Sequence, residues 1–419
     1  MVHAPRVLGR YPDFRRLFAG NTVSLLGSSV TRVALPLTAV GLLDASPVQM
    51  GLLGAAALVP HLVLGLPAGV WIGRLPYRRV LVLADAAQAV LLAAVPVLAL
   101  TGLLAMWQLY VVVLLAGAGN LFETVTAQSF TPHLVPRERL LPANSALMLS
   151  NATVDTSGSA LAGLLVTALG APVAIVADAV SFVVALACKA RIRTPGPVLA
   201  PVAPRASLRA DVVAGIRAMV GDPVLRAVTL AATLGAFGGQ LQAVVLLLYL
   251  VRTLRFGTTA VGLLVAVAGL AGILGALLAT PVTRRLGPGR AFVAGMVLAG
   301  VGGPVLAATA GPPALLVAVP VLAQLLRGTG PALYGVNQQT VRQTLTPPGL
   351  LSRVNATWRF LVYGTQPLGA LLGGVLGAAV GLRATLVVSG AVMLLGAGLA
   401  AASPLRRRTA TEAPRSDAA

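Results

Sequence analysis

The side chains able to do chemistry in this 419-residue chain are few, because it carries only 11 acidic and 31 basic residues. The informative ones interrupt long apolar runs. Asp155 stands with Asn151 and Ser159 at i, i+4, i+8 spacing, with Gly158 and Gly163 beside them. A helix places such a stripe on one face, and small neighbours let that face meet a cavity or another helix. Glu123 lies about one turn beyond Asn120, and Arg32 shares a helical face with Asn21, Ser24 and Ser28. Arg327 is followed by Gly328 and Gly330, then Tyr334 and Asn337. Gln240 interrupts another apolar run, and Arg359, Tyr363 and Gln366 form a further stripe. A carboxylate in apolar surroundings can act as a proton carrier, since desolvation and a nearby cation act on its proton in opposite senses. An arginine there suits an anionic or carbonyl-bearing ligand. The competing interpretation of each is a structural ion pair. Asp155 and Glu123 are the proton-binding candidates. Arg32, Arg327, Tyr334, Asn337, Gln240, Asn120 and Asn151 are the substrate-binding candidates. Asp85 sits near Arg78 and Arg79 and reads as structural, as does His61; Asp178 fits either role.

Other chemistry is excluded. Cys188 is the sole cysteine, and His3, His61 and His133 are far apart, so no disulfide and no metal site is expected. Lys189 is the sole lysine and alanine follows it, which rules out a Walker A phosphate loop. No Gly-x-Gly-Asp or His-Glu-x-x-His motif supports a membrane enzyme, and no cofactor is implied.

The elements that must position these residues are membrane helices. Hydrophobic residues make up 57% of the chain and charged ones 10%, with a mean hydropathy of +0.90. A soluble domain carries roughly 25% charged residues. A bilayer-spanning helix needs about 20 apolar residues. Twelve such segments are expected, near 17–42, 48–72, 80–101, 107–130, 143–168, 173–190, 224–251, 259–281, 291–310, 314–338, 356–380 and 384–403. They are too long, and alternate too little, for strands. The first run is too long for a signal peptide, lacks a clear cleavage site and leads straight into further spans.

The net charge of +20 reads as topology rather than nucleic-acid binding. Arg6, Arg10, Arg15, Arg16, Arg74, Arg78, Arg79, Arg137, Arg139, Lys189, Arg191 and Arg193 all fall on one side of the expected spans. So do Arg284, Arg285, Arg290, Arg342, Arg353 and Arg406–408. Only Arg252, Arg255 and Arg383 fall on the other. By the positive-inside rule both termini are expected in the cytoplasm and the protein in the cell membrane. The expected organisation is a six-helix bundle at 1–190, a cytoplasmic linker at 191–222, a second six-helix bundle at 223–403, and a disordered cytoplasmic tail at 404–419. In the linker, Leu208, Val212, Ile216 and Met219 recur at helical spacing opposite Arg209 and Arg217. That pattern fits an amphipathic helix on the membrane surface or a solvated linker helix.

The chain also repeats itself at a shift of 211 positions. Asn144 then meets Asn355, Gln128 meets Gln339, Pro136 meets Pro347, Pro12 meets Pro223, and Arg15 meets Arg226. Gly51-Leu52-Leu53 meets Gly262-Leu263-Leu264, and Gly27, Gly158, Gly163 and Gly170 meet Gly238, Gly369, Gly374 and Gly381. Arg74-Leu75 meets Arg285-Leu286, and Arg79 meets Arg290. Two parallel six-span halves are the plan of major facilitator transporters. The polar residues do not repeat: Asp155, Glu123 and Asp178 meet Gln366, Tyr334 and Ser389, while Arg327 and Arg359 meet Ala116 and Met148. The first half carries the acids, which suggests that it handles protons.

Several stretches carry a family resemblance: Phe130 through Asn144, Gly158-Ser-Ala-Leu-Ala-Gly163, Asp178-Ala-Val-Ser-Phe182 and Ser352-Arg-Val-Asn-Ala356. Over nearly its whole length the chain resembles the major facilitator superfamily, in the branch of enterobactin exporters and macrolide efflux proteins. The resemblance implies an all-α fold of twelve transmembrane helices and proton-driven efflux by a monomer. It also implies a central cavity lined by the first, fourth, seventh and tenth spans, where Glu123 would meet Arg32. The family's loop after the second span has the form Gly-x-x-x-Asp-Arg with basic residues following. Here Gly69, Arg74, Arg78 and Arg79 keep that pattern, but Gly73 replaces the acid. With Arg353 these are the conformational-latch candidates. Ser159 likewise replaces the proline of the family's antiporter motif. The expected activity is proton-coupled export of small amphiphilic molecules such as antibiotics, drugs or siderophores. The alternatives are an importer or facilitator on the same fold, or a non-transporting membrane partner.

Overall fold

The computed structural model describes residues 8–72, 75–136, 139–194, 216–217, 219–346 and 351–406. Its helices are α1 (Pro12–Leu42), α2 (Pro47–Val63), α3 (Gly65–Ile72), α4 (Tyr77–Leu100), α5 (Met106–Leu134), α6 (Leu140–Leu169) and α7 (Ala171–Ala190). There follow α8 (Pro223–Leu248), α9 (Thr258–Leu286), α10 (Pro288–Ala307), α11 (Pro313–Leu345), α12 (Leu351–Gly364), α13 (Gln366–Ala379) and α14 (Leu382–Ala402). Among the described residues ten stretches are long and apolar enough to cross a membrane. The expected fifth span is the 30-residue α6, and the expected second span is α2 plus α3. The chain is thus an all-α membrane protein.

The two interrupted spans have a common cause. Proline lacks an N–H and its ring collides with the carbonyl four residues back. Pro67 therefore breaks the helix after Val63, and Pro367 breaks it between Gly364 and Gln366. Proline is also used to begin helices, where the missing N–H costs nothing. Pro12 opens α1 and its repeat partner Pro223 opens α8, where the Asp222 carboxylate accepts from the N–H groups of Val224 (2.7 Å) and Leu225 (2.9 Å).

The 211-residue repeat is written into the backbone. Asp44 and Arg255, repeat partners, are the described non-glycine residues with positive φ, at 47° and 55°. Gly170 and Gly381, also partners, turn the chain into α7 and α14 with φ of 79° and 88°. A side chain at either glycine would be strained.

Two compact units are present. The first comprises Met1–Ala45, Ala56–Val202 and Gly257–Ala266; the second comprises Ser46–Ala55, Ala203–Phe256 and Val267–Ala419. The segments that leave their own half, Ser46–Ala55 and Gly257–Ala266, are repeat equivalents of each other. Glycine permits both excursions. In the first unit a Cβ on Gly163 would lie 2.2 Å from the Gly262 carbonyl oxygen. In the second, a Cβ on Gly51 would lie 2.8 Å from the Ala370 carbonyl oxygen and 3.0 Å from Gly374 Cα.

The linker stretch around Leu208, Arg209 and Val212 lies outside the described residues, as does the tail beyond Arg406. Ile216 and Arg217 are helical and exposed, whereas Met219 is buried among Ala232, Val354, Trp358 and Val362 of the second unit. Leu405, in a short 3₁₀ turn at Pro404–Arg406, is buried against Gly289.

Candidate functional site

The first unit contains a buried ion group that gathers residues from four helices. Asp85 and, one turn on, Gln88 come from α4. Glu123 comes from α5, Lys189 from the last turn of α7 and Ser24 from α1. Lys189 and Asp85 are 0% exposed and Glu123 is 6% exposed. Lys189 Nζ donates to Asp85 Oδ1 at 2.9 Å and to Glu123 Oε1 at 2.5 Å. Ser24 Oγ also donates to Glu123 Oε1, at 3.2 Å, and Gln88 Nε2 to Glu123 Oε2, at 3.4 Å. Asp85 Oδ2 receives no hydrogen bond among the described residues.

Glycine clears the space for these side chains. A Cβ on Gly20 of α1 would come within 3.2 Å of Lys189 Cε, and one on Gly119 of α5 within 3.0 Å of Gln88 Cγ. Isolated ions in such surroundings cost several kcal/mol each, so the ammonium between two carboxylates is what makes their burial tolerable. One positive and two negative groups sum to a single negative charge when all are ionised. Uptake of one proton makes the group neutral.

One sequence-based expectation is corrected here. Glu123 pairs with Lys189, not with Arg32, because the α7 lysine reaches inward between α4 and α5. Arg32 is exposed; its Nη2 donates to Ser29 Oγ at 2.8 Å, and it lies within electrostatic range of Asp178. Asp85 is buried and ion-paired with Lys189, while Arg78 and Arg79 are exposed at the start of α4. Lys189 escapes a reading by charge pattern because it borders an arginine-rich loop and resembles one more topological charge. Its signals are its uniqueness and its spacing. It follows Asp178 by eleven residues, three helical turns, along the buried stripe of Asp178, Phe182 and Ala185.

Asp178 forms a second buried polar site one turn further along α1. Its Oδ1 accepts from Ser181 Oγ at 3.2 Å and Ser28 Oγ at 3.4 Å, and Gly27 leaves it room. Ser24 and Ser28, four residues apart, thus serve one buried acid each. Asn151 is exposed on α6; the Asp155 and Ser159 side chains lie outside the described residues. Asn120 lies in hydrogen-bonding range of His61. Of the latch candidates, Arg74 and the side chain of Arg353 lie outside the described residues, and Gly69 belongs to α3.

In the second unit the candidates are distributed along α8 and α11. Arg327 Nη1 donates to Gln324 Oε1 at 2.5 Å, and Gly302 makes room for the arginine stem. Asn337 is fully enclosed; its Nδ2 donates to the Leu333 carbonyl at 2.9 Å and its Oδ1 accepts from Thr283 Oγ1 at 2.8 Å. Gln240 Nε2 donates to Gln366 Oε1 at 3.4 Å. Tyr334 packs edge-on against Phe292, with ring centroids 6.2 Å apart. The repeat equivalents of Asp85, Glu123 and Lys189 are Met296, Tyr334 and Ala400, and all three belong to one apolar cluster with Val224, Phe292 and Ala397.

Membrane-length apolar helices around a buried ion group define a polytopic membrane protein. Residues 8–418 match the family model described as transmembrane secretion effector, and the chain belongs to that family of the major facilitator superfamily. It is 29% identical over 406 residues to the multidrug efflux pump Tap of Mycolicibacterium fortuitum, covering 92% of this chain and 94% of that one. It is 26% identical over 389 residues to the enterobactin exporter EntS of Salmonella typhi, covering 92% and 90%. The fold matches a bacterial homologue of the iron transporter ferroportin with a TM-score of 0.74 at 19% identity, over 94% of this chain and 99% of that one. It matches the nucleoside transporter NupG with a TM-score of 0.67 at 11% identity, over 94% and 98%. The chain is therefore a membrane transporter and not an enzyme.

Proposed function

We propose that this protein exports small amphiphilic molecules, of the antibiotic, drug or siderophore kind, across the cell membrane in exchange for protons. It works as a monomer by alternating access, with both termini in the cytoplasm. The observation that carries proton coupling is the Asp85–Lys189–Glu123 group. At the equivalent place in the other half, Met296, Tyr334 and Ala400 fill the same positions without charge. The helix packing therefore does not itself require ions there, and their retention in one half points to chemistry. Two carboxylates sharing one ammonium can gain or lose a proton while the pair that remains still offsets its own burial. Glu123, which contacts Lys189, Ser24 and Gln88 together, is the proposed carrier, with Asp85 as its partner. Asp155 is a second candidate on α6. Arg327, Gln240 and Asn120 are proposed cargo contacts, and Arg78 and Arg79 are proposed latch residues.

The test is accumulation of labelled drugs, dyes and siderophores in cells with and without the protein, in the presence and absence of a protonophore. Proton-driven export lowers the accumulation of some compound, and both the protonophore and Glu123→Gln abolish the effect. Higher accumulation would instead favour an importer. Export that ignores both the protonophore and Glu123→Gln would remove the proton from the mechanism.

A further inference from the structure

The second unit has a charge imbalance that the proton group does not address. From Pro223 to Thr411 the sequence contains no aspartate or glutamate, yet Arg327 and Arg342 both lie within α11. A cation in a low-dielectric place needs an anion or full hydrogen bonding. Arg327 has Gln324. Arg342, in the last turn of α11, has a different setting. Its guanidinium carbon lies 4.0 Å from the centre of the Trp358 ring, a cation–π contact. Its Nε and Nη1 are shielded from solvent and meet no acceptor among the described residues. Trp358 is only 7% exposed, and its Nε1 is likewise buried without an acceptor.

Among the described residues, three N–H-bearing atoms on two packed side chains are thus left without acceptors. Among the described residues a further cation stands close by, since Arg359 is within electrostatic range of Arg342. Tyr363 packs edge-on against Trp358 at 5.9 Å between centroids, which helps to fix the indole. The apolar cluster of Met219, Ala232, Val354 and Val362 also holds Trp358 in place. The repeat equivalents of Arg342, Trp358 and Arg359 are Thr131, Leu147 and Met148, so the six-helix plan does not demand this arrangement.

We infer that Arg342 and Trp358, with Arg359 beside them, form a binding site for an oxyanion, a phosphate or carboxylate group carried either by a solute or by a lipid headgroup. The guanidinium offers N–H donors in a planar fork suited to two oxygens, the indole N–H offers one more, and the stretch Pro223–Thr411 that carries them contains no carboxylate to compete.

The chain has three tryptophans, so Trp71→Phe with Trp107→Phe leaves Trp358 as the only reporter. This full-length protein is placed in phosphatidylcholine nanodiscs and titrated with inorganic phosphate at constant ionic strength while Trp358 emission is followed. A saturable change, weakened at least tenfold by Arg342→Gln and less by Arg359→Gln, supports the site with a free anion as ligand. A flat phosphate titration with an emission change on passing to phosphatidylglycerol nanodiscs, lost in Arg342→Gln, supports it with a lipid headgroup. If Arg342→Gln does not fold, Arg342→Lys keeps the charge but loses the fork, and the response should weaken severalfold without vanishing. Emission indifferent to both phosphate and phosphatidylglycerol overturns the inference. So does a response that Arg342 substitutions leave unchanged.

Discussion

Replacing Lys189 with alanine strips the ammonium from between Asp85 and Glu123 and leaves two carboxylates with no cation in contact. All three side chains are almost wholly shielded, so water screens little of the loss. Removing one partner of a buried pair costs about 3–5 kcal/mol, because the charge left behind is uncompensated. The single variant should therefore melt well below the wild type in detergent. The second unit supplies the control. Replacing the whole group by what stands at the equivalent positions, Asp85→Met, Glu123→Tyr and Lys189→Ala together, removes every ion. Apolar replacement of a buried ion group is commonly neutral or stabilising by about 1–4 kcal/mol. Thermal unfolding of wild type, single and triple variants should then place the triple above the single, while the triple loses proton-dependent export. If Lys189→Ala melts with the wild type, or the triple variant is the least stable, uncompensated charge does not govern the stability of this site.

Other consequences concern packing. Gly163→Ala should destabilise by roughly 1–3 kcal/mol or block export, since the new Cβ would meet the Gly262 carbonyl at 2.2 Å and backbone cannot yield easily. Gly170→Ala and Gly381→Ala should each cost about 1 kcal/mol or more, because both residues sit at positive φ; paired melts would show similar losses. Asn337→Leu should cost about 1–3 kcal/mol by leaving Thr283 Oγ1 without its acceptor. Thermal unfolding beside an export assay checks whether that loss is structural alone.

Much of this architecture is legible in the amino-acid sequence. Long apolar runs dictate helices because a bilayer leaves backbone groups no other partners, and Pro12 and Pro223 mark where two of them start. The repeat is visible in prolines and arginines, and it reappears in the paired positive-φ residues Asp44 and Arg255. The ion group is less legible. Glu123 stands out as an acid in an apolar run, but nothing local says which cation it meets. That depends on α7 lying against α1 and α4, and on Gly20 leaving space for a long side chain. Arg32 looks the better partner on polar spacing alone, yet its helix position leaves it exposed. Lys189 is hidden for the opposite reason, since sequence position at a basic helix end resembles exposure. The Arg342 and Trp358 N–H atoms that meet no acceptor among the described residues are invisible in sequence, because they arise from the packing of the Arg342 guanidinium on the Trp358 ring.

A buried carboxylate of the first unit is proposed to carry the proton exchanged for cargo. The most direct measurement is proton movement itself, in proteoliposomes containing a pH-sensitive dye, after addition of a compound the protein exports. The wild type should show a compound-dependent proton flux that is absent from Asp85→Asn/Glu123→Gln, although that variant still binds the compound. An undiminished proton flux in the double variant would contradict the proposed exchange.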